Sequence, residues 1–239
     1  GTTAVCQNAV QPLVTFTGAG GTAPYRFTYN INGGATQTVN TTAASNTVTL
    51  NVPTNIIGPF VYNLLSVTEG GANQCSRTYT TGSATFTVNP LPTANISGST
   101  SLCQNAARPL ITFTGANGTA PYTFTYNING GTPQTITTTT GNFVTLQAPT
   151  NTDGVFNYNL LSVKDGSSTQ CLQNQTGTAT ITVWRLPVAA FTWSAITCEE
   201  EVINFNGSSS VANAGSISNW SWNFGDPSSG SLNTASAAV

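Results

Sequence analysis

The chain has 239 residues, of which 38% are hydrophobic and only 5% are charged, and its formal net charge is −2. Since an ordinary soluble domain carries about 25% charged residues, this surface must be polar but largely uncharged. Nothing in it is suited to neutralising nucleic-acid phosphates, and no apolar run approaches the ~18 residues of a membrane-spanning helix. The length allows two domains and part of a third.

Most of the chain consists of two copies of one sequence repeat. "CQNAVQPLVTFTGAGGTAPYRFTYNINGG", which starts at Cys6, returns 97 residues later as "CQNAARPLITFTGANGTAPYTFTYNINGG", which starts at Cys103. The match continues through "VTLNVPTN" and "VTLQAPTN", two copies of "YNLLSV", and the closing segments "SATFTVNPLP" and "TATITVWRLP". A catalytic site needs to be made only once, so an internal period of this length indicates a modular array.

Within each copy, apolar residues alternate with polar ones. In "YTFTYNI" the side chains of Tyr122, Phe124, Tyr126 and Ile128 share one face, which is the period of a half-buried strand. Turn-forming segments such as "NGG" and "KDGSS" separate these runs, and no stretch has a helical period. About seven short strands per copy predict an all-β protein of tandem immunoglobulin-like sandwiches, with a closed barrel as the alternative.

The predicted domains are residues 1–90, residues 91–185 and an incomplete third domain at 186–239. The junctions fall at "NPLPTA" and "WRLPVA". Proline lacks an N–H and fixes φ, so it ends the last strand of a copy and stiffens the connection. We therefore expect the sandwiches to be stacked end to end with little bending.

Each of the two copies carries one cysteine near its start and one after "YNLLSV". Cys6 and Cys75 are 69 residues apart, and Cys103 and Cys171 are 68 apart. This arrangement predicts one disulfide within each copy, which would stabilise it by roughly 4 kcal/mol. Zinc binding is the alternative, and the absence of His and of C-x-x-C pairs weighs against it.

The fifth cysteine, Cys198, occupies the first-cysteine place of a third copy. It follows Leu186 by 12 residues, as Cys103 follows Leu91. A partner cysteine 68 residues further on would fall beyond Val239. The spacing therefore predicts no disulfide partner for Cys198 within this segment. We expect the chain to be a segment of a longer array of repeats. The alternative is that Cys198 is a reactive thiol or forms an intermolecular disulfide.

The sequence of the third domain differs from that of the two repeats. Its segment "ISNWSWNFGDPSSGS" resembles the PKD domain pattern, in which an aromatic strand W-x-W-x-F-G-D-G precedes a Ser-rich turn. The matching residues are Trp220, Trp222, Phe224, Gly225 and Asp226. Pro227 replaces the usual Gly. The resemblance implies a β-sandwich of the kind found in extracellular multidomain proteins, and we expect the strand after the turn to be missing.

The first two copies are similar in wording to the PKD-like repeats of very large surface adhesins of Bacteroidota. Such adhesins often end in a gliding-motility-associated region and leave the cell through the type IX secretion system. The resemblance covers about residues 1–190, and it implies export and a place at the cell surface or outside the cell. It implies no ligand.

The residues that could carry chemistry are few. A Ser-His-Asp or Cys-His arrangement is excluded because there is no His. Glu69 and Asp165 hold the same turn position in the two copies, where turn formation and solubility explain them, and Glu199 to Glu201 would alternate between the faces of a strand. No carboxylates therefore converge as glycosidases require. We predict no catalytic residue, cofactor or metal ligand, with calcium at a domain junction as a minor alternative.

These observations predict a structural and adhesive stalk segment of a large secreted or cell-surface repeat protein. Its predicted partners are neighbouring repeats of the same chain, with glycans or proteins bound by regions outside this segment. One alternative is a subunit or segment of an extracellular filament, in which sheet edges would take strands from other copies. A lesser alternative is a carbohydrate-binding module.

Overall fold

The computed structural model describes residues 2–195, 198 and 202–238, and within them the chain is almost entirely strand and turn. The only helical element of the described residues is a 3₁₀ helix at Pro227–Asn233. No helix in this part of the chain is long and apolar enough to cross a membrane. The predicted all-β class is therefore confirmed.

The strands between residues 2 and 89, which belong to the first predicted repeat, form two sheets. They are β1 (Thr2–Cys6), β2 (Leu13–Thr17), β3 (Arg26–Ile31), β4 (Gln37–Asn40), β5 (Thr47–Asn51), β6 (Gly58–Thr68), β7 (Ser76–Thr78) and β8 (Ser83–Asn89). The larger sheet has the order β1-β8-β6-β3-β4, with β7 also on β6, and the smaller sheet contains β2 and β5. The first strand pairs with the last in parallel.

The strands between residues 93 and 184, which belong to the second predicted repeat, follow the same plan with one strand more. They are β9 (Thr93–Ser97), β10 (Thr100–Cys103), β11 (Leu110–Ala116), β12 (Thr123–Ile128), β13 (Gln134–Thr137), β14 (Phe143–Gln147), β15 (Gly154–Lys164), β16 (Leu172–Asn174) and β17 (Thr178–Trp184). The larger sheet runs β10-β17-β15-β12-β13, with β16 also on β15, and the smaller one runs β14-β11-β9. Two sheets per repeat make a sandwich rather than a closed barrel.

The alternating aromatic residues form the cores, as their period predicts. In the first repeat the rings of Phe16 and Tyr29 lie 5.2 Å apart, and in the second those of Phe113 and Tyr126 lie 5.1 Å apart. The second core is more completely buried, since Phe113 is fully enclosed while Phe16 is 7% exposed. The difference comes from β9, which pairs with β11 and has no counterpart on β2 in the part of the chain that the structure describes.

The described residues of the predicted third domain contain short strand pairs. They comprise β18 (Thr192–Trp193) with β19 (Phe205–Asn206), and β20 (Asn219–Asn223) with β21 (Thr234–Ala238). The expectation that the strand after the Ser-rich turn is missing was wrong, because β21 follows the turn and pairs with β20 along its whole length. Gly225, at φ 77°, starts the reversal that allows this pairing.

Candidate functional site: the junction between the repeats

The linker between the first two repeats is part of the folded structure. Pro92 is completely buried, and the residues after it form β9, which pairs antiparallel with β11. Ile96, the apolar residue of β9, is 7% exposed and lies opposite Phe113 in this ladder. A linker held in this way connects the repeats without the freedom of a flexible tether.

A disulfide crosses this junction. The sulfur atoms of Cys6 and Cys171 are 2.06 Å apart, and the Cα atoms are 5.6 Å apart. The expected pairings of Cys6 with Cys75 and of Cys103 with Cys171 are therefore wrong. The bond joins the first cysteine of one repeat to the second cysteine of the next, across 165 residues of sequence.

The architecture explains why the bond cannot form within one repeat. Cys6 lies beside Asn89, at the end of the sheet where the chain leaves the repeat. Cys75 lies beside the far end of the 11-residue strand β6. Such a strand is roughly 35 Å long, whereas a disulfide requires Cα atoms within about 7 Å of each other. Stacking the repeats end to end brings the first cysteine of one against the second of the next.

The other cysteines are exposed. Cys75 and Cys103 are exposed free thiols, and Cys198 is an exposed residue of the third domain. Sequence spacing identified the two equivalent cysteine positions correctly but not their partners. The partners depend on the parallel pairing of the first and last strands, which places Cys6 at the exit of its repeat and which cysteine spacing does not reveal.

A chain of hydrogen bonds continues the junction beside the disulfide. Asn89 donates from Nδ2 to Oγ1 of Thr169 at 2.9 Å, and the hydroxyls of Thr169 and Ser167 lie 3.1 Å apart. Ser167 donates to Oδ1 of Asp165 at 2.8 Å, and Oδ2 accepts the N–H of Thr119 at 3.1 Å. Every step uses uncharged donors, in keeping with the composition.

Asp165 is only 3% exposed, so it does not serve solubility as the sequence suggested. It still forms the turn, because its carboxylate holds Ser167 and Thr119 in place. Glu69, at the equivalent place in the first repeat, is partly exposed and accepts the N–H of Thr22 at 2.8 Å. That hydrogen bond, followed by one from the Cys75 side chain, holds the pKa of Glu69 below its usual value.

The second junction is more open. Pro187, which corresponds to Pro92, is exposed. Arg185 forms an ion pair with Asp153 at 3.4 Å on the surface, a contact of small energetic worth. An open cavity of about 770 Å³ lies between the second repeat and the third domain, and Cys103, Trp184 and Trp220 contribute to its lining. The first junction is thus the more tightly joined of the two.

The PKD-like residues serve the third domain's own structure. Trp222 packs edge-on against Phe191 at 5.5 Å, and Phe224 lies 5.2 Å from Phe205, in an aromatic cluster that stays partly exposed. The indole N–H of Trp220 is buried and has no hydrogen-bond partner among the described residues. Asp226 caps the 3₁₀ helix by accepting the N–H of Ser228 at 3.1 Å and its hydroxyl.

The described residues contain no group of three or more His, Cys, Asp or Glu side chains that could hold a metal ion. Glu199, Glu200 and Glu201, which the sequence placed on alternate faces of a strand, lie outside the described residues. The inter-repeat junction is therefore the most developed arrangement of functional groups in this part of the chain. Its chemistry is covalent linkage and close packing.

Comparison with family models finds one match, in the C-terminal part of the chain. Residues 184–238 match the PKD domain, in agreement with the aromatic motif. Comparison with curated proteins finds no match. Solved structures with a similar arrangement include immunoglobulin-like proteins of several kinds.

One of them is a Ca²⁺-stabilised adhesin with which an Antarctic bacterium binds ice. It is 19% identical with a TM-score of 0.45, over 82% of this chain and 50% of that one, so this chain spans half of its length. A tetra-tandem repeat from the extending region of a large adhesion protein is 16% identical with a TM-score of 0.32, over 99% and 62% of the two chains. A marsupial T cell receptor is 13% identical with a TM-score of 0.46, over 82% and 76%. Proteins of different function share this likeness, and no functional conclusion rests on it.

Proposed function

We propose that this chain is a stalk segment: a non-catalytic spacer whose repeats hold another part of a large secreted or surface protein at a distance. The observation that carries the proposal is the Cys6–Cys171 disulfide across the junction. A bond within one unit would stabilise that unit alone, whereas a bond between units also resists their separation. A chain that must keep its length under tension gains a covalent connection where two units would otherwise separate.

The bond changes the path that tension takes. When the two ends of the chain are pulled, force entering at β1 reaches Cys6 and crosses directly to Cys171. It then follows residues 172–184 to the end of the second repeat. The 165-residue span between the two cysteines is bypassed, so it cannot extend while the bond is intact.

Composition and redox chemistry support a location outside the cell. Disulfides persist in oxidising surroundings and are rare in reducing ones. The polar, nearly uncharged surface carries only five Lys and Arg residues. We also propose that the whole protein is a type IX-secreted, gliding-associated adhesin of Bacteroidota. The amino-acid sequence of the repeats supports this part of the proposal.

Pulling single molecules of the full chain by their ends tests the role in extension. In oxidised protein the 165-residue span should stay closed. Reduction, or Cys171→Ser, should release up to about 550 Å of additional contour length. Cys75→Ser is the matched control, since it removes an exposed thiol and leaves the bond. Equal extension of oxidised and reduced chains would contradict the proposal.

A further inference from the structure

Among the described residues, no strand covers one end of the first repeat, whereas the same end of the second repeat is covered. In the second repeat this end is covered by the linker strand β9 and by the disulfide from Cys6. In the first repeat we call the equivalent surface the open end. It consists of the uncovered edge of β2, the turn at residues 69–74, and Cys75.

The edge of β2 is a strand-binding edge. Its counterpart β11 is hydrogen-bonded on both sides, by β14 and β9, whereas β2 is bonded only to β5 within the described residues. Thr15 and Thr17 are exposed, while the corresponding Thr112 and Thr114 are half-buried. The unpaired N–H and C=O groups of such an edge are a template for one more strand.

The surface beside this edge also has room for an apolar side chain. In the second repeat Ile96 packs between Phe113 and Gly177, where a Cβ on Gly177 would lie 3.2 Å from Cγ2 of Ile96. Phe16 and Gly82 take the corresponding places in the first repeat. Nothing lies within 4 Å of a Cβ on Gly82.

The third feature of the open end is Cys75. Its carbonyl accepts the N–H of Glu69 at 3.0 Å, and the carbonyl of Cys171 accepts the N–H of Asp165 at 3.0 Å. The two cysteines therefore occupy equivalent backbone positions in the two repeats. Cys171 is bonded and 1% exposed, whereas Cys75 is a free, exposed thiol. The equivalent residue thus already forms a disulfide one repeat further along.

We propose that the open end is the docking surface for the C-terminal end of another repeat of this type. The linker strand of the incoming repeat, alternating as Thr93–Ser97 does, adds antiparallel to β2 and buries its aliphatic residue beside Phe16. The first cysteine of that repeat forms a disulfide with Cys75. This partner goes beyond the stalk function, and the inference holds whether or not the repeats bear tension.

The match between the two surfaces is close but not complete. Gln175 accepts the N–H of Ala94 from β9 at 3.1 Å in the second repeat. Tyr79 stands at the corresponding place in the first repeat, so this one contact would not recur. The ladder itself depends on backbone groups, which do not change with the side chain.

Bond formation needs an oxidant, and a small-molecule disulfide such as oxidised glutathione suffices. The Cys75 thiolate attacks this disulfide, forms a mixed disulfide and releases one thiolate. The thiolate of the incoming cysteine then attacks the Cys75 sulfur and releases the second. Two protein thiols lose two protons and two electrons in total, and one disulfide is reduced to two thiols.

A lengthened chain tests the proposal directly. Gly1 corresponds to Gly98, so an added copy of residues 1–97 placed directly before Gly1 of the full chain reproduces the natural spacing. Cys75→Ser in the added copy leaves one Cys75 in the molecule. Val5→Leu in the added copy marks its Cys6 peptide by mass. The protein is folded in a glutathione redox buffer and its disulfides are mapped.

The expected result is a peptide that joins the added Cys6 to Cys75, found beside the Cys6–Cys171 peptide. Amide exchange at Thr15 and Thr17 should slow at least tenfold relative to the unextended chain. Ile96→Asp in the added copy should remove most of this protection, because it puts a charge at the buried position of the strand.

Two results would overturn the proposal. One is that Cys75 and the added Cys6 both remain open to alkylation in molecules that contain the Cys6–Cys171 bond, which itself shows that folding and oxidation succeeded. The other is a dimer of unextended chains joined through β2 edges or through Cys75 to Cys75, which would assign the surface to a second copy. If the long addition does not fold, residues 90–97 alone are added before Gly1, and unchanged exchange at β2 would be equally decisive.

Discussion

Gly118 lies against Asp165 so closely that a Cβ on Gly118 would be 2.8 Å from the Cβ of Asp165, and 3.0 Å from the Cβ of Pro92. Neither neighbour can move away easily, because both are buried in the junction between the repeats. The glycine therefore allows the linker and the turn at residues 165–170 to pack together.

Gly118→Ala should destabilise the second repeat by about 1–3 kcal/mol, the usual cost of overpacking. Gly21 holds the matching place in the first repeat, where a Cβ would approach mainly the side chain of Glu69. Because Glu69 is partly exposed and flexible, Gly21→Ala should cost clearly less. Denaturant unfolding of both variants, followed by circular dichroism, measures the difference, and equal losses would show that the junction is not tightly packed.

Alkylation of the intact protein should separate four of the five cysteines into two groups. Without reductant, Cys75 and Cys103 should react with iodoacetamide because they are exposed thiols. Cys6 and Cys171 should react only after reduction and unfolding. Peptide mapping provides the readout, and a peptide linking Cys6 to Cys75 would restore the pairing within one repeat.

Substituting either cysteine of the Cys6–Cys171 disulfide should have the same effect on stability as substituting both. Loop-closure entropy gives about 5 kcal/mol for a 165-residue span at 25 °C. Cys6→Ser and Cys171→Ser should therefore lower stability by similar amounts, and the double variant should lose little more than either. Thermal unfolding with and without reductant tests this, since the reductant should affect the wild type alone.

The period of the apolar residues was sufficient to predict the sandwich, because alternate burial is a local property of each strand. Cys6 shows what the sequence could not give. Its partner depends on which end of the sheet each cysteine reaches, and that depends on β1 pairing in parallel with β8. The burial of Asp165 was also missed, since Gly118, Thr119 and Pro92, which lie far from it in the sequence, pack together in the folded junction.

Ile96 should be a major stabilising residue of the second repeat, although it belongs to the linker. Ile96→Ala should cost about 2–5 kcal/mol, because it leaves a cavity between Phe113 and Gly177. Leu110→Ala on the adjacent strand is the control, since Leu110 is 50% exposed. Denaturant unfolding with amide exchange of β11 reports both, and a neutral Ile96→Ala would mean that β9 contributes little to the core.

Asp226 should make the third domain sensitive to acid. Hydrogen bonds from the side chain and then the backbone of Ser228 hold the pKa of Asp226 below its usual value. A lowered folded-state pKa means that the charged form stabilises the fold. This contribution is complete above the unfolded value of about 4 and is lost as the pH falls through the lower folded value. Asp226→Asn should therefore lower the stability of the domain at pH 7, and this loss of stability should shrink below about pH 4.

Ser228→Ala should move the Asp226 titration, followed by carboxyl NMR, back towards the usual pKa. An unchanged titration in Ser228→Ala would show that the cap does not hold the carboxylate.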